Sequence, residues 1–317
     1  MKKLVETIEP NYIKGTGVSI EMLNIRYQTP HRHRYCLEMI CCLEGSVRVT
    51  IAHETMVLKQ SEMVTADHDD VHYIESEEDN KTLIIHIDLD NPKHDRDEID
   101  ATMFSCATEL ASKHQLPYLE KIYDTILSLA YIYASGNIGD YDIDQIKNNL
   151  IDIMVERFSW FSVMELDTDE NEKYRERLNA LSLYVQRGCK QKLTLGELSK
   201  VTHLDSNYLS QFLKRSTMKS FTFFINYFRC YEAERLLLET DMSVQMISDA
   251  CGFSSKNYLH KYFKSMWNIT PLQHRKKYSA LAEREEEYII FSREDMMRSV
   301  DSAIIFRHIK KTTTIRT

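Results

Sequence analysis

No apolar run in the 317 residues approaches the roughly 18 that span a membrane, which argues against a transmembrane protein. The opening "MKKLVETIEP" is basic but lacks the apolar stretch of a secretory signal, so a cytoplasmic chain is expected. The seven cysteines lack framework spacing: Cys41 and Cys42 are adjacent and the rest are scattered. They read as reduced thiols, not as a disulfide scaffold. A basic excess is missing as well, since the net charge of −8 argues at first sight against nucleic acid. The composition is otherwise that of soluble globular protein, 43% hydrophobic and 28% charged, and is long enough for two or three domains.

The average charge hides an asymmetry. Residues 174–280 hold 17 Lys and Arg against 8 Asp and Glu, a balance of +9 that leaves −17 for the remainder. An acidic front and a basic back imply two parts with different partners.

The basic part contains an internal repeat. "SNYLSQFLK" (206–214) aligns with "KNYLHKYFK" (256–264) at an offset of 50. At 100° per residue Tyr258, Leu259, Tyr262, Phe263 and Met266 fall on one half of the second piece, and Lys256, Asn257, His260, Lys261 and Lys264 on the other. The polar half has no acid in it, whereas a solvated face mixes both signs. The first piece repeats this, with Tyr208, Leu209, Phe212 and Leu213 inward and Ser206, Asn207, Ser210, Gln211 and Lys214 outward. Each is preceded by a short amphipathic piece, "LTLGELSKVTH" and "MSVQMISDACG". Thr194 with Glu197 spells a capping box, Ser243 an N-cap, and Gly252 a left-handed helix stop. Asp205, and Ser254 or Ser255, stand where the twin helices need caps. Two short helices with a tight turn and an acid-free second face describe a helix-turn-helix. A long helix between the copies, "SFTFFINYFRCYEAERLLLE" (220–239), measures roughly 30 Å at 1.5 Å per residue. That is close to the ~34 Å between successive major-groove segments on one face of DNA. Thr270 and Pro271 then start a basic helix ending in Arg275, Lys276 and Lys277.

On "CGFSSKNYLHKYFK", "NITPLQHRKKY", "LSKVTHLDSNYLSQFLK" and the connecting helix, about 100 residues in all, the chain resembles the AraC/XylS family of transcription regulators. The resemblance implies two helix-turn-helix units on double-stranded DNA. The positions matching its base readers are Asn207, Ser210 and Gln211, then Lys256, Asn257, His260 and Lys261. Asn and Gln suit adenine and Lys suits guanine. Ser206, Lys214, Ser255, Lys264, Arg275 and Lys276 are the expected phosphate contacts. His203, Met218 and Asn268 stand where the family has glycine, and Leu213 replaces its phenylalanine. An activator is expected, with RNA polymerase as a further candidate partner, and the resemblance implies a small-molecule effector, a sugar being the commonest class.

Residues 18–90 read as many short strands without helices between them, as in a sandwich or barrel. In "PHRHRYCLEMICCLEG" His31 and His33 lie two apart and share a strand face, with Glu38 and Gly45 following. This resembles the first cupin motif. The second, "SEMVTADHDDVH", is degenerate: Ser61, Asp67 and Asp69 replace Gly, Pro and Gly, while His72 keeps the histidine place. His31, His33, Glu38 and His72 could ligate a divalent metal, for catalysis as a cupin enzyme or for regulation. The reading favoured by the resemblance is a metal-free pocket, with no cofactor and no enzyme activity, in which Arg26, His31, His33 and Glu38 anchor the effector. Polar residues at a barrel mouth with no ligand are the remaining reading.

From Leu116 to Phe161 the pattern turns helical, with stripes through Ile122, Ile126, Leu129 and Tyr133 and through Ile143, Ile146, Leu150 and Phe158. The resemblance implies a homodimer through these helices. The expected organisation is α+β multidomain. A cupin-like barrel at 1–115 precedes dimerisation helices at 116–165 and a linker at 166–173. An all-α double helix-turn-helix follows at 174–280, then an extension of unknown role at 281–317.

Overall fold

The computed structural model describes residues 4–159, 170–217 and 220–314. The chain divides into two units, each drawn from more than one stretch of sequence. One comprises 6–94, 103–160 and 284–317, the other 1–5, 95–102 and 161–283.

The first unit is a β-barrel. Its strands are β1 (Glu6–Thr7), β2 (Val18–Arg32), β3 (Cys36–Glu44), β4 (Ser46–Ile51), β5 (Glu54–Lys59), β6 (Glu62–Ala66), β7 (His72–Glu75) and β8 (Lys81–Asp88). They pair in the order β5-β4-β7-β2-β8-β3-β6, every neighbour antiparallel. β5 and β6, at the two ends of this path, are consecutive in sequence, so the sheet curls into a nearly closed barrel. The interior holds Leu23, Ile25, Ile40, Val47, Val49, Ile74 and Ile84. The period of two puts Glu38 on the interior face with Ile40, and His86 with Ile84. Leu37, Met39 and Cys41, on the other face of β3, are buried too. A strand is apolar on both sides only where a second layer covers it.

That layer comes from two places. After a short helix α1 (Arg96–Ala101), which belongs to the other unit, α2 (Leu116–Ser135) and α3 (Ile143–Ile153) follow, the latter continued by a π turn at Met154–Phe158. α2 buries Leu119, Ile122, Tyr123, Ile126 and Leu129. Leu116 to Phe158 therefore forms helices, as the periodicity predicts, and these helices join the barrel.

The second unit is helical: α4 (Glu170–Gly188), α5 (Leu195–Thr202), α6 (Ser206–Thr217), α7 (Phe221–Glu239), α8 (Val244–Ala250), α9 (Lys256–Trp267) and α10 (Pro271–Ala282). α1 packs on α4, where Gln186 Nε2 donates to the Asp100 carbonyl at 3.1 Å. Of the expected linker, residues 166–169 lie outside the described residues, and 170–173 form the first turn of α4.

The chain then returns to the barrel. β9 (Glu287–Ile290) pairs antiparallel with β2, Leu23 opposite Ile290 and Ile25 opposite Tyr288. α11 (Arg293–Thr314) lies on α2 and also touches β3. Arg307 of α11 forms ion pairs with Glu120 and Asp124 of α2, and its guanidinium sits 4.2 Å from the Tyr123 ring centre. Residues 281–283 finish the helical unit, and from Arg284 on the segment of unknown role is thus a structural part of the barrel unit. Its apolar runs, at Tyr288–Phe291 and Ala303–Phe306, are the strand and the middle of the helix. All seven cysteines are free and buried.

Candidate nucleic-acid interface and candidate metal centre

Each helix-turn-helix is set by the caps its sequence spells. Thr194 Oγ1 accepts from Glu197 N at 3.2 Å and Glu197 Oε2 accepts from Thr194 N at 2.7 Å, a complete capping box at the start of α5. Asp205 Oδ1 caps α6, accepting from Asn207 N at 2.8 Å and Tyr208 N at 3.2 Å. Ser243 caps α8, and Thr270 with Gln273 boxes the start of α10 behind Pro271. Ser255 occupies the cap position of α9 without a side-chain bond to the helix.

Two of the unusual positions, and one expected glycine, are explained by backbone geometry. His203 (φ 54°) and Asn268 (φ 58°) both end helices in the left-handed region, as the glycines they replace would. Gly252 has φ 76°, and a Cβ there would stand 2.4 Å from the Lys190 carbonyl oxygen, so only glycine fits. Met218 lies outside the described residues. Leu213 is fully buried in the place of the aromatic ring.

The outward faces are largely as the wheel predicts. Asn207, Ser210, Gln211 and Lys214 are exposed on α6, and Lys256, Asn257, Lys261 and Lys264 on α9, while Ser206, Ser255 and His260 are half-buried. His260 Nε2 itself is buried with no hydrogen-bond partner. Burial, and then the charge of Lys256, hold His260 below the usual histidine pKa, so the ring is neutral at pH 7.

Three assignments change. Tyr208 and Tyr258, placed inward by the wheel, are 43% and 50% exposed. They sit on the edge of the stripe, and the cores close around Leu209 and Phe212, and around Leu259, Phe263, Met266 and Trp267. Arg275, expected at phosphate, donates from Nε to the Leu237 carbonyl at 2.9 Å and from Nη2 to the Thr240 carbonyl at 3.2 Å. It satisfies the last turn of α7, where free carbonyls attract a cation. Lys276 on the same helix is exposed.

In the barrel, four expected residues meet. His31 near the end of β2, His33 just past it, Glu38 on β3 and His72 on β7 bring their ligand atoms within 4.8 Å of one another. All four are buried, at 1%, 3%, 1% and 0% exposure. His33 Nε2 lies 2.7 Å, His72 Nε2 2.8 Å and His31 Nε2 3.5 Å from Glu38 Oε2. The other ring nitrogens are engaged by backbone carbonyls: His31 Nδ1 with Thr29 at 2.8 Å, His33 Nδ1 with Ile8 at 2.7 Å, His72 Nδ1 with Asp70 at 2.9 Å. A carbonyl only accepts, so each Nδ1 carries the hydrogen. Each neutral ring then aims an Nε2 lone pair at a carboxylate oxygen, acceptor against acceptor. Protons or a cation must lie between them.

Protons alone satisfy the cluster poorly. Burial works against charge on Glu38, but His72 and the bonds from the three histidines outweigh it and hold the carboxyl well below its usual pKa. For His31, burial lowers the pKa and the Glu38 hydrogen bond and charge raise it further, for a net rise. For His72, burial and the neighbouring histidines prevail over Glu38 and leave it low. One carboxylate balances one imidazolium, and further protons would be buried without counter-charge. A divalent cation would meet all three Nε2 atoms and the carboxylate at once. The donor set suits Zn2+, Co2+, Ni2+ or Fe2+, and the Nδ1 bonds are the outer contacts that orient metal-binding histidines.

The degenerate second motif keeps its backbone. Ser61 (φ 69°) and Asp69 (φ 64°) hold left-handed conformations where glycines are usual. Asp67 is buried, accepting from Phe104 N at 2.8 Å and His68 N at 2.7 Å. Gly45 (φ 77°) turns β3 into β4, and a Cβ there would meet the Asp79 carbonyl oxygen at 2.5 Å. One member of the site was missed: His86 of β8, whose Nε2 lies 3.3 Å from Glu38 Oε2. The signal was a lone histidine in the apolar strand "TLIIHIDL", and the register places it directly opposite Glu38. Arg26, expected in the pocket, is elsewhere, with Nη2 2.8 Å from Asp79 Oδ1. The ligand atoms of the four residues, all within 4.8 Å of one another, enclose a space of ionic size.

Comparison with known proteins agrees with this division. A helix-turn-helix domain family matches residues 198–277, and a cupin domain family matches residues 25–88. The uncharacterized HTH-type transcriptional regulator YisR of Bacillus subtilis is 30% identical over 93 residues, 29% of this chain and 32% of that protein. The probable transcriptional regulator LumQ of Photobacterium leiognathi is 22% identical over 266 residues, 83% of this chain and 98% of that one. Among solved structures, ToxT of Vibrio cholerae matches 86% of this chain and 100% of its own at 13% identity and a TM-score of 0.43. The chain spans less than half of the length of the first curated relatives that it matches.

The different surroundings of Arg275 and Lys276 predict different costs. Arg275→Gln should destabilise the helical unit by about 1.5–3 kcal/mol, the range for hydrogen bonds to charged groups. Lys276→Gln should leave the thermal midpoint unchanged. Equal midpoints for the two variants by circular dichroism would remove the capping role given to Arg275.

Proposed function

We propose that this chain, which carries an AraC-type helix-turn-helix domain and a cupin domain, is a sequence-specific DNA-binding transcription regulator whose barrel senses a divalent cation. The acid-free outward faces of α6 and α9 support the DNA reading. Two short helices of this kind, joined by α7 of 19 residues, suit adjacent turns of one duplex. Asn207, Ser210, Gln211, Lys256, Asn257 and Lys261 are the proposed base readers; His260, expected among them, is left out because its Nε2 is buried. Ser206, Lys214, Ser255, Lys264 and Lys276 are the proposed phosphate contacts. Lys261→Ala should reduce discrimination between a selected and a random duplex. Lys276→Ala should weaken binding to both and lower the salt slope by about one. Equal losses on both duplexes for Lys261→Ala, read by fluorescence anisotropy, would withdraw its base-reading role.

The single observation that carries the sensing reading is the convergence of three Nδ1–H tautomers on one buried carboxylate. His31, His33, Glu38 and His72 would hold the ion, and His86 is placed to donate to Glu38. When bound, the cation supplies the positive charge that the cluster lacks. Full burial of the ligands favours binding over turnover, because catalytic metal sites keep a position open to substrate. In this reading an ion replaces the expected organic effector, on three of its expected anchors, His31, His33 and Glu38, with His72 in place of Arg26. Protein purified without chelator should take up about one Co2+ or Zn2+ per chain, and Glu38→Gln or His33→Ala should take up less than about a tenth of that. Absence of uptake by the wild-type chain, measured by elemental analysis, would end the cation reading.

A homodimer is part of the proposal. α11 covers much of α2, the helix expected to dimerise, so another face must serve. Ile289 and Ile290 of β9 are 65% and 60% exposed, and Ile305 of α11 is 60% exposed. Apolar exposure of this extent marks interaction surfaces. Light scattering at micromolar concentration should give twice the chain mass of 37.4 kDa. A monomer mass across that range would refute it.

A further inference from the structure

We infer that Glu286 is a positioning residue for the cage, holding its ligand His31 through Thr29 and so tying the cage to the end of the helical unit. The inference rests on the cation reading above. It starts from an irregularity in β2. Pairing with β7 shifts register between Gln28 and His31, so Thr29 and Pro30 lie in a bulge. Bulges free backbone groups from the ladder and re-aim neighbouring side chains. The freed Thr29 N donates to Glu286 Oε1 at 3.2 Å, and Thr29 Oγ1 donates to the same oxygen at 2.6 Å. The carbonyl of Thr29 accepts from His31 Nδ1 at 2.8 Å. One residue therefore reads Glu286 with its N–H and hydroxyl and orients His31 with its carbonyl.

Glu286 is not free to drift. β9 begins at the next residue and is paired with β2. Two residues earlier, the Arg284 guanidinium lies 3.5 Å from the Tyr27 ring centre and 3.3 Å from Glu75 Oε2. On its other side the chain is already helical: α10 ends at Ala282, and the helical unit ends at Glu283. Four peptide links thus separate the last helix of the DNA-binding unit from a carboxylate two hydrogen bonds from a cage ligand. Filling the cage fixes the His31 ring, which fixes the Thr29 carbonyl and peptide. That peptide sets how tightly Glu286 and the residues before it are held. Such a link is a coupling free energy, and coupling is reciprocal: DNA must change cation affinity by the factor by which the cation changes DNA affinity.

The test uses the full chain, Co2+ followed by its visible absorption, and a selected duplex followed by anisotropy. In the wild type, Co2+ should change the DNA Kd by roughly tenfold, and DNA should change the Co2+ Kd by the same factor. Glu286→Ala should still take up Co2+, with affinity reduced less than about tenfold, while both cross-effects shrink below about twofold. Glu286→Gln keeps an acceptor oxygen and should restore them. Wild-type cross-effects in Glu286→Ala, or none in a wild type that does take up Co2+, would overturn the relay and leave the cage reading standing. So would Glu286→Gln behaving as the alanine variant does. A wild type that takes up no Co2+ overturns the cage reading and the relay with it.

Discussion

The barrel is organised around a buried carboxylate. Glu38 sits at 1% exposure, and a charge there is tolerated only if its surroundings return what water provided. The fold supplies four imidazoles from β2, the segment after it, β7 and β8. Registers follow from this. Glu38 stands opposite His86, and His31 opposite His72. A one-residue slip in either pairing would send a histidine to the wrong face and leave the carboxylate alone. The same slip would turn Ile40 and Ile84 out of the barrel interior and bring their outward neighbours into it, so apolar packing and the polar cluster select one arrangement together.

Much of this was readable in the sequence. The His31, His33 and Glu38 spacing follows from strand alternation, and His72 was identified by its place in the motif despite the degraded residues around it; Ser61 and Asp69 in fact reach the same backbone region that glycine would. The paired helix-turn-helix units were readable for a related reason: their caps at Thr194, Asp205, Ser243 and Thr270 are local, and local chemistry is what a sequence states most directly. His86 was missed because the carboxylate it faces lies 48 positions away, in a register that strand periodicity alone does not give.

The errors share a cause. Arg26 was grouped with the histidines because it is basic and on the same strand, yet β2 is 15 residues long and its two ends serve different surroundings. Arg275 was grouped with its basic neighbours, but 100° of rotation turns it to the carbonyls ending α7 while Lys276 faces water. Tyr208 and Tyr258 lie at the rim of their stripes, where a wheel has no resolving power. The tail was opaque because "EYII" becomes a strand only beside β2, and nothing in its own composition names that partner.

Closing the barrel unit with β9 has a consequence for synthesis. Leu23 and Ile290 are partners, so one edge of β2 waits for 267 further residues, the whole helical unit among them, to leave the ribosome. Through that interval α2 has no α11 to cover it, and the strand edge is open to other chains. The helical unit, which depends mostly on neighbours close in sequence, is the natural one to form first. A released chain that stops just past Glu283 would thus expose apolar barrel surface while its helical half is already complete, and in the cell it would be a client for chaperones.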